Sequence, residues 1–304
     1  PQPHLQTYIY QKELSCLIVT PQLIQSFGDL TKRALVYFIS SQLPIHLGAK
    51  QIVNGGRSME IKRTFVYYLS GTGSTKKYAL AIAKNLPGKV RLEELDPFEY
   101  FDEQLGPEDL LVVCSPVYAG HIPPTVWKQL EDVKCNGTLA LGIAVYGSRS
   151  YGSALLEMQS ELQKKGCVLV GAAALVARHA IIQTVASNRP TGSDLQEAKN
   201  FAIKISERIA AMQSANDAPR LEFPGELPEK VEPVGIVPVV SEGCSSCYMC
   251  AIVCPSRAIP DNNPATTSPE KCISCLRCLD ICPTKARVVP STIKEMVKGM
   301  LDST

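Results

Sequence analysis

The sequence predicts an α/β chain: a doubly wound, five-stranded parallel sheet followed by a small α+β domain built around cysteines. Three observations carry that expectation. Between residues 64 and 214, apolar runs of strand length alternate with helical patterns, as in a chain that winds a parallel sheet with helices on both faces. From residue 215 to 240 the composition changes, with Pro219, Pro224, Pro228, Pro233 and Pro238 too closely spaced for a helix. Beyond that stretch, eight cysteines fall into two copies of one pattern.

In chain order, strands are expected at 64–69, 89–95, 109–114, 139–146 and 168–176. Helices are expected at 75–85, 125–130, 153–165 and 194–212. In the last of these, Leu195, Ala198, Ala202, Ile205 and Ile209 recur at helical spacing and form one apolar stripe. The proline run favours extended polyproline geometry, so it reads as a semi-rigid spacer. A final helix is expected where Ile293, Met296, Val297, Met300 and Leu301 make one apolar face, with Thr292 and Glu295 at capping-box spacing. The division is therefore 1–58, an N-terminal extension; 59–214, the wound sheet; 215–240, the linker; and 241–304, the cysteine-rich domain with its terminal helix.

Residues 1–58 fit neither domain, and two readings of them stand. Met59 opens directly onto the first strand, and Gly55-Gly56-Arg57 corresponds to purine-rich codons like those of a bacterial ribosome-binding site. On that reading Met59 is the start and the upstream residues are foreign to the native protein. The alternative is a genuine extension with a short strand at 34–39.

The 304 residues include 31 basic and 29 acidic side chains, a formal charge of +2. That near balance, with the basic residues dispersed, leaves no electrostatic footprint for nucleic acid. The longest apolar stretches, near 34–39 and 110–114, fall far short of the roughly 20 residues a bilayer span needs. No secretory leader pattern is visible and free thiols call for a reducing compartment, so a cytoplasmic location is expected.

The first cysteine run is Cys244, Cys247, Cys250 and Cys254-Pro255; the second is Cys272, Cys275, Cys278 and Cys282-Pro283. In C-x2-C-x2-C-x3-C-P, three thiolates on a tight loop surround one iron-sulfur cubane and the fourth reaches a second one. The expected ligands are Cys244, Cys247, Cys250 and Cys282 for one 4Fe-4S cluster, and Cys272, Cys275, Cys278 and Cys254 for the other. The copies agree beyond the ligands: Cys254-Pro255-Ser256-Arg257-Ala258 is matched by Cys282-Pro283-Thr284-Lys285-Ala286, as in a duplicated half-domain. Zinc sites would leave the third and fourth cysteines of each run without a role. A disulfide framework would face competing pairings among near neighbours. Cys16, Cys114, Cys135 and Cys167 have no ligand spacing and read as small buried apolar residues.

The first expected strand runs into Ser70-Gly71-Thr72-Gly73-Ser74-Thr75 and then a helix. A loop in that position offers hydroxyls and backbone N–H groups to a phosphate, and glycines let the backbone approach it. Lys76 and Lys77 follow in the first helical turn, where the dipole disfavours cations unless an anion is near. A plain helix N-cap would also account for the hydroxyls. Neither a Walker loop nor a G-x-G-x-x-G dinucleotide turn is present. Two more loops follow the third and fourth strands: 115–124, with Pro116, Val117, Tyr118, Gly120 and His121, and 146–152, with Tyr146, Gly147, Arg149, Tyr151 and Gly152. Aromatic rings there can stack on a flat cofactor; otherwise the tyrosines are amphipathic surface residues and His121 is solvated.

Residues 70–75 resemble the phosphate loop of flavodoxins, T/S-x-T-G-x-T, at every specified position, and residues 241–290 closely resemble the bacterial two-cluster ferredoxins. With both halves present, the chain resembles the flavodoxin and ferredoxin fusion proteins of anaerobic bacteria and archaea labelled the EFR1 family, over about residues 60–290. That resemblance implies a flavodoxin-like sheet with FMN held by Ser70, Thr72, Gly73, Ser74 and Thr75 at its phosphate and by the two later loops at its ring. Tyr118 is a departure, since many flavodoxins carry a ring-stacking tryptophan at this point. A cubane passes one electron and a flavin holds one or two. The expected function is electron transfer between two 4Fe-4S clusters and FMN, to or from a partner protein or small acceptor, as a carrier or an FMN- and iron-sulfur-dependent oxidoreductase. The alternatives are a ferredoxin-type carrier whose flavodoxin-like domain docks a partner without flavin, and cluster storage.

Overall fold

The computed structural model describes residues 35–38, 58–229, 231 and 234–302. In chain order the elements are β1 (Leu35–Phe38), β2 (Arg63–Tyr68), α1 (Ser74–Ala83), β3 (Lys89–Glu94), β4 (Gln104–Leu105), β5 (Asp109–Pro116), α2 (Pro124–Gln129), β6 (Lys134–Cys135), β7 (Thr138–Tyr146), α3 (Ala154–Lys164), β8 (Cys167–Val176), α4 (Gly192–Ala211), β9 (Val239–Val240), α5 (Met249–Ile252), α6 (Arg277–Ile281), β10 (Arg287–Val288) and α7 (Ser291–Asp302). The strands and helices expected between 64 and 214 are all present, their ends displaced by one or two residues.

Strand order in the main sheet is β1-β8-β7-β5-β2-β3. β3, β2, β5, β7 and β8 run parallel, and β1 joins β8 antiparallel. The short strand considered at 34–39 is thus present as β1. The remainder of 1–57, and with it the reading of that segment as foreign, lies outside the described residues.

Side-chain alternation along each strand divides the core into two layers. From β2, Phe65 and Tyr67 enter one layer with Val126, Leu155, Met158 and Leu162 of α2 and α3. Val66 and Tyr68 enter the other with Tyr78, Ile82, Phe201 and Ile205 of α1 and α4. β5 and β7 are buried at every position, as central strands covered on both faces must be. The chain leaves β2 toward β3 on one side and resumes at β5 on the other, which puts a topological switch point between β2 and β5.

The proline-rich segment departs from its expected role. Leu221 is buried in the sheet's core, Phe223 packs beside it, and Gln159 donates to the Leu221 carbonyl at 2.8 Å. Residues 221–223 therefore pack on the sheet domain instead of standing off from it. Beyond it, β9 and β10 pair antiparallel and close the cysteine-rich domain.

The last helix also differs. It starts at Ser291, with the Lys294 N–H donating to the Pro290 carbonyl at 3.1 Å, so Thr292 lies inside the first turn and does not cap it. Val297 is buried with Ile236, Leu276 and Val289, and Ile293, Leu301, Ile181 and Ile182 pack around them. Met296 and Met300 face outward, so only part of the expected apolar face is covered.

Phe201 fills the layer between α4 and the sheet at 1% exposure. Phe201→Ala should lower unfolding free energy by about 3–5 kcal/mol, read from the shift in a denaturant midpoint at unchanged slope.

Candidate functional site

Four thiols line each of two cavities in the cysteine-rich domain. Cys244, Cys247, Cys250 and Cys282 surround the first, with Tyr248, Pro264 and Arg287. The second is surrounded by Cys254, Cys272, Cys275 and Cys278, with Pro255, Leu276 and Arg277. The fourth thiol of each run lies in the other run's cavity.

Backbone geometry repeats with the sequence. Ser246, Tyr248 and Arg257 have φ values of 53°, 61° and 50°, and their counterparts Ser274, Leu276 and Lys285 have 57°, 60° and 55°. Non-glycine residues seldom adopt this left-handed region, and here it curls each loop so that its thiols turn inward. Four thiols around one cavity fit the donor set of a 4Fe-4S cluster. Among the described residues, no three His, Cys, Asp or Glu side chains are placed to hold a single metal ion.

The two sets differ in exposure. In the second, Cys254, Cys275 and Cys278 are buried; in the first, Cys250 is buried and Cys247 is exposed. Burial pushes the Cys275 and Cys278 thiols up to about 12, so ligation has to displace their protons. Arg287, buried at 4% exposure, donates to the Pro264 and Thr266 carbonyls and the Thr267 hydroxyl. It lines the first cavity, and its charge also acts on Cys272 and Cys278 of the second.

A cleft of about 650 Å³, part of it open to solvent, lies at the C-terminal ends of the central strands. Gly71, Thr72, Ser74 and Thr75 line it from the loop after β2; Pro116, Val117 and Tyr118 from the end of β5 onward; and Tyr146 and Gly147 from the end of β7. Residues 177–181, after β8, close it. α1 begins at Gly73, whose φ of 84° suits glycine, and no side chain caps it. Hydroxyls at a helix N-terminus and two tyrosines in one cleft fit FMN, phosphate at one end and ring at the other. The conflict expected at Lys76 is eased by Glu94, whose carboxylate lies 3.7 Å from the ammonium.

Ser70, Gly73, Gly120, Arg149, Tyr151 and Gly152 do not line the cleft. Ser70 is buried and its hydroxyl oxygen accepts the Lys76 N–H at 3.2 Å, which shapes the loop from within. Tyr151 packs edge-on to Tyr146 at 5.8 Å. Gly120 and Gly152 bring their loops into contact: a Cβ on Gly152 would lie 2.5 Å from the Gly120 carbonyl oxygen. Arg149 is exposed. His121 turns to Glu157, which also accepts from Ser153 at 2.6 Å and from the Ile122 N–H at 2.9 Å, so it fastens this loop to α3.

The second thiol cavity adjoins this cleft. Ser274, beside Cys275, lines the cleft itself. A Cβ on Gly71 would collide with the Cys275 carbonyl oxygen and lie 2.7 Å from the Tyr118 hydroxyl. Arg277 pairs with Glu94 and donates to the Ser70 carbonyl at 2.6 Å. Farther out, Arg257 donates to the Pro97 carbonyl at 2.8 Å and lies over the Phe98 ring at 4.2 Å. Thr125 and Gln129 of α2 both donate to the Pro255 carbonyl, at 3.2 and 3.0 Å.

His179, in the cleft, was not singled out in the sequence. Its Nδ1 accepts the N–H groups of Ile181 and Ile182 at 3.3 and 3.0 Å, which leaves the proton of the neutral ring on Nε2. Burial holds its pKa below the usual imidazole range.

A family model described as a flavodoxin domain matches residues 65–136, and one described as a 4Fe-4S dicluster domain matches residues 237–283. The fold is flavodoxin-like, with a small ferredoxin-type region after it. Among solved structures, a flavodoxin from the domain Archaea is 19% identical, with a TM-score of 0.37 over 48% of this chain and 98% of its own. Flavodoxin 2 from Bacillus cereus is 19% identical at a TM-score of 0.37, covering 48% of this chain and 99% of its own. The flavodoxin of Streptococcus pneumonia TIGR4 is 16% identical at a TM-score of 0.36, over 48% and 99%. No curated protein matches the chain. The flavodoxin domain implies FMN, the dicluster domain implies iron-sulfur clusters, and together they support an electron-transfer function. No helix among the described residues is long and apolar enough to cross a membrane.

Cys254→Ala should reduce iron and sulfide in anaerobically prepared protein by about half. Adding Cys275→Ala should then remove nothing more, whereas adding Cys250→Ala should remove the iron that remains. For His179, a lower pKa in the fold means that the unfolded chain binds more protons, so stability rises with pH across the interval. Its contribution is present above the unfolded value of about 6.5 and is lost as pH falls below it. His179→Asn, whose carboxamide oxygen suits the same turn, should flatten the fall in denaturation midpoint below about pH 6.5.

Proposed function

We propose that the chain binds two 4Fe-4S clusters and FMN and passes electrons between them and an outside redox partner, as its resemblance to the EFR1-family fusion proteins implies. The observation that supports this reading most directly is the contact between the second thiol set and the cleft, where the Cys275 backbone packs on Gly71 beside Tyr118. When bound, the clusters supply one-electron transfer and FMN one- or two-electron chemistry, so together they convert between single-electron carriers and paired electrons.

The roles of the residues follow from their positions. Cys244, Cys247, Cys250 and Cys282 hold one cluster; Cys254, Cys272, Cys275 and Cys278 hold the other. Thr72, Ser74 and Thr75 donate to the phosphate, Ser70 and Gly73 shape that loop, and Tyr118 and Tyr146 lie against the ring. Arg277 fixes the second thiol set to the phosphate loop through Ser70 and Glu94. Burial keeps water from the second set, while the first opens outward through Cys247, Tyr248 and Ile252, the last 57% exposed. That surface is where a one-electron protein partner meets the chain. Thiolate ligation of this kind belongs in a reducing compartment such as the cytoplasm.

Anaerobic reconstitution tests the reading. Iron, sulfide and flavin assays should give both cofactor types on one chain, and flavin reduction by a one-electron donor should require intact clusters. Gly71→Ala should retain both cofactors yet slow that reduction by about tenfold or more, since it pushes the two sites apart. Full cluster content with no affinity for flavin would overturn the proposal and leave a ferredoxin-type carrier with a docking domain.

A further inference from the structure

Away from both cofactor regions, the fold brings together two cysteines that the sequence left as apolar filler. Cys135 ends β6 and Cys167 opens β8, where Thr138 and Cys167 face each other at the N-terminal ends of β7 and β8. This is the edge of the sheet opposite the cleft. The Cys135 N–H donates to the Lys165 carbonyl and the Gly137 N–H to the Gly166 carbonyl, both at 3.1 Å. Gly166, with φ of 88°, lies so close that a Cβ there would collide with the Cys135 carbonyl oxygen. Both thiols are free; Cys135 packs against the core layer that holds Cys167, and a Cβ on Gly166, the residue before Cys167, would lie 4.0 Å from the Cys135 Cβ. The Thr138 hydroxyl, buried and without a partner at good hydrogen-bond geometry, faces Cys135. Lys165, whose amine donates to the Leu130 carbonyl, adds a positive charge beside the pair.

We propose that Cys135 and Cys167 form a reversible thiol–disulfide pair that is oxidised by a low-molecular-weight disulfide. The assignment of roles rests on access and surroundings. Cys135 is half-buried, whereas Cys167 is 5% exposed. The neighbouring Cys167 thiol holds the Cys135 thiol below its usual range against the opposing effect of burial, and Thr138 and Lys165 act in the same direction. The Cys135 thiol and burial together push the Cys167 thiol up. Cys135 is therefore the attacking thiolate and Cys167 the resolving thiol. Cys114, also in the sheet, has burial alone acting on it and stays protonated.

The chemistry balances in two exchanges. The Cys135 thiolate attacks one sulfur of the small disulfide, forming a mixed disulfide and releasing one thiolate. Cys167 loses its proton to solvent and attacks the Cys135 sulfur, which closes the internal bond and releases the second thiolate. The protein gives up two electrons and two protons, and the small disulfide becomes two thiols. The new bond ties the segment around β6 to the start of β8 and leaves all eight cluster thiols as they were.

The test uses the whole chain, reconstituted without oxygen and exposed to glutathione disulfide, then denatured, alkylated with N-ethylmaleimide and mapped by peptide mass spectrometry. A linked Cys135–Cys167 peptide should appear while cluster absorbance is retained. Cys167→Ser should stop at glutathione bound to Cys135, and Cys135→Ser should give neither product. Complete alkylation of both residues in the parent protein, or linkage seen only after the clusters are lost, would overturn the proposal.

Discussion

Backbone packed on backbone at Gly71 and Cys275 is the contact on which the arrangement depends. Any side chain at Gly71 would collide with the Cys275 carbonyl, so the phosphate loop and the second thiol loop meet this closely only because one of them carries no Cβ. The polar contacts around it hold the approach in place. Arg277 reaches across to Ser70 and Glu94, Arg257 to Pro97 and Phe98, and the Pro255 carbonyl takes two donors from α2. Most of these are hydrogen bonds to neutral backbone carbonyls, which salt screens far less than it does exposed ion pairs.

The cysteine-rich region has only small apolar clusters of its own among the described residues, one of them around Val297. Its core beneath the first helix consists of Cys250, Ala251, Cys254, Ala258, Ile259 and Cys278, half of them thiols and two of the rest alanines. So small an apolar core rarely stabilises a domain without metal or cross-links. Six residues with left-handed backbone add strain of about 1–3 kcal/mol each, and the buried Cys275 and Cys278 thiols are protonated until ligated. Folding and ligation in this region are therefore one process, as in other small metal-bound domains.

The sheet was legible because its layers impose simple periods: alternation in β2 and a helical stripe in α4. The thiol sets were legible because short loops fix ligand spacing. Residues brought together only by tertiary packing were not. His179 follows β8 and had no motif around it, although the rule that sites gather at the C-terminal ends of parallel strands points to that loop. No motif singles out Arg277 or Arg287; the fold sets one against the sheet domain and buries the other. Cys135 and Cys167 lie far apart in sequence, with no spacing to mark them as a pair. At Thr292 the capping pattern misled because the helix starts at Ser291, directly after Pro290 and two residues before the start that a Thr292 cap would mark.

The two copies of the cysteine motif began as equivalents and have been put to unequal use. The Cys-Pro corner of the first copy is clamped from three sides, by Thr125, Gln129 and the stack of Arg257 on Phe98, whereas at the second corner Pro283 and Lys285 are exposed and Lys285 donates within its own loop, to the Asp280 carbonyl. A duplication that would otherwise yield two equivalent halves has been given distinct inner and outer ends. One corner is fixed to the flavodoxin-like domain, and substitutions there disturb the interior; the other faces outward, and its surface can diverge without disturbing the joint.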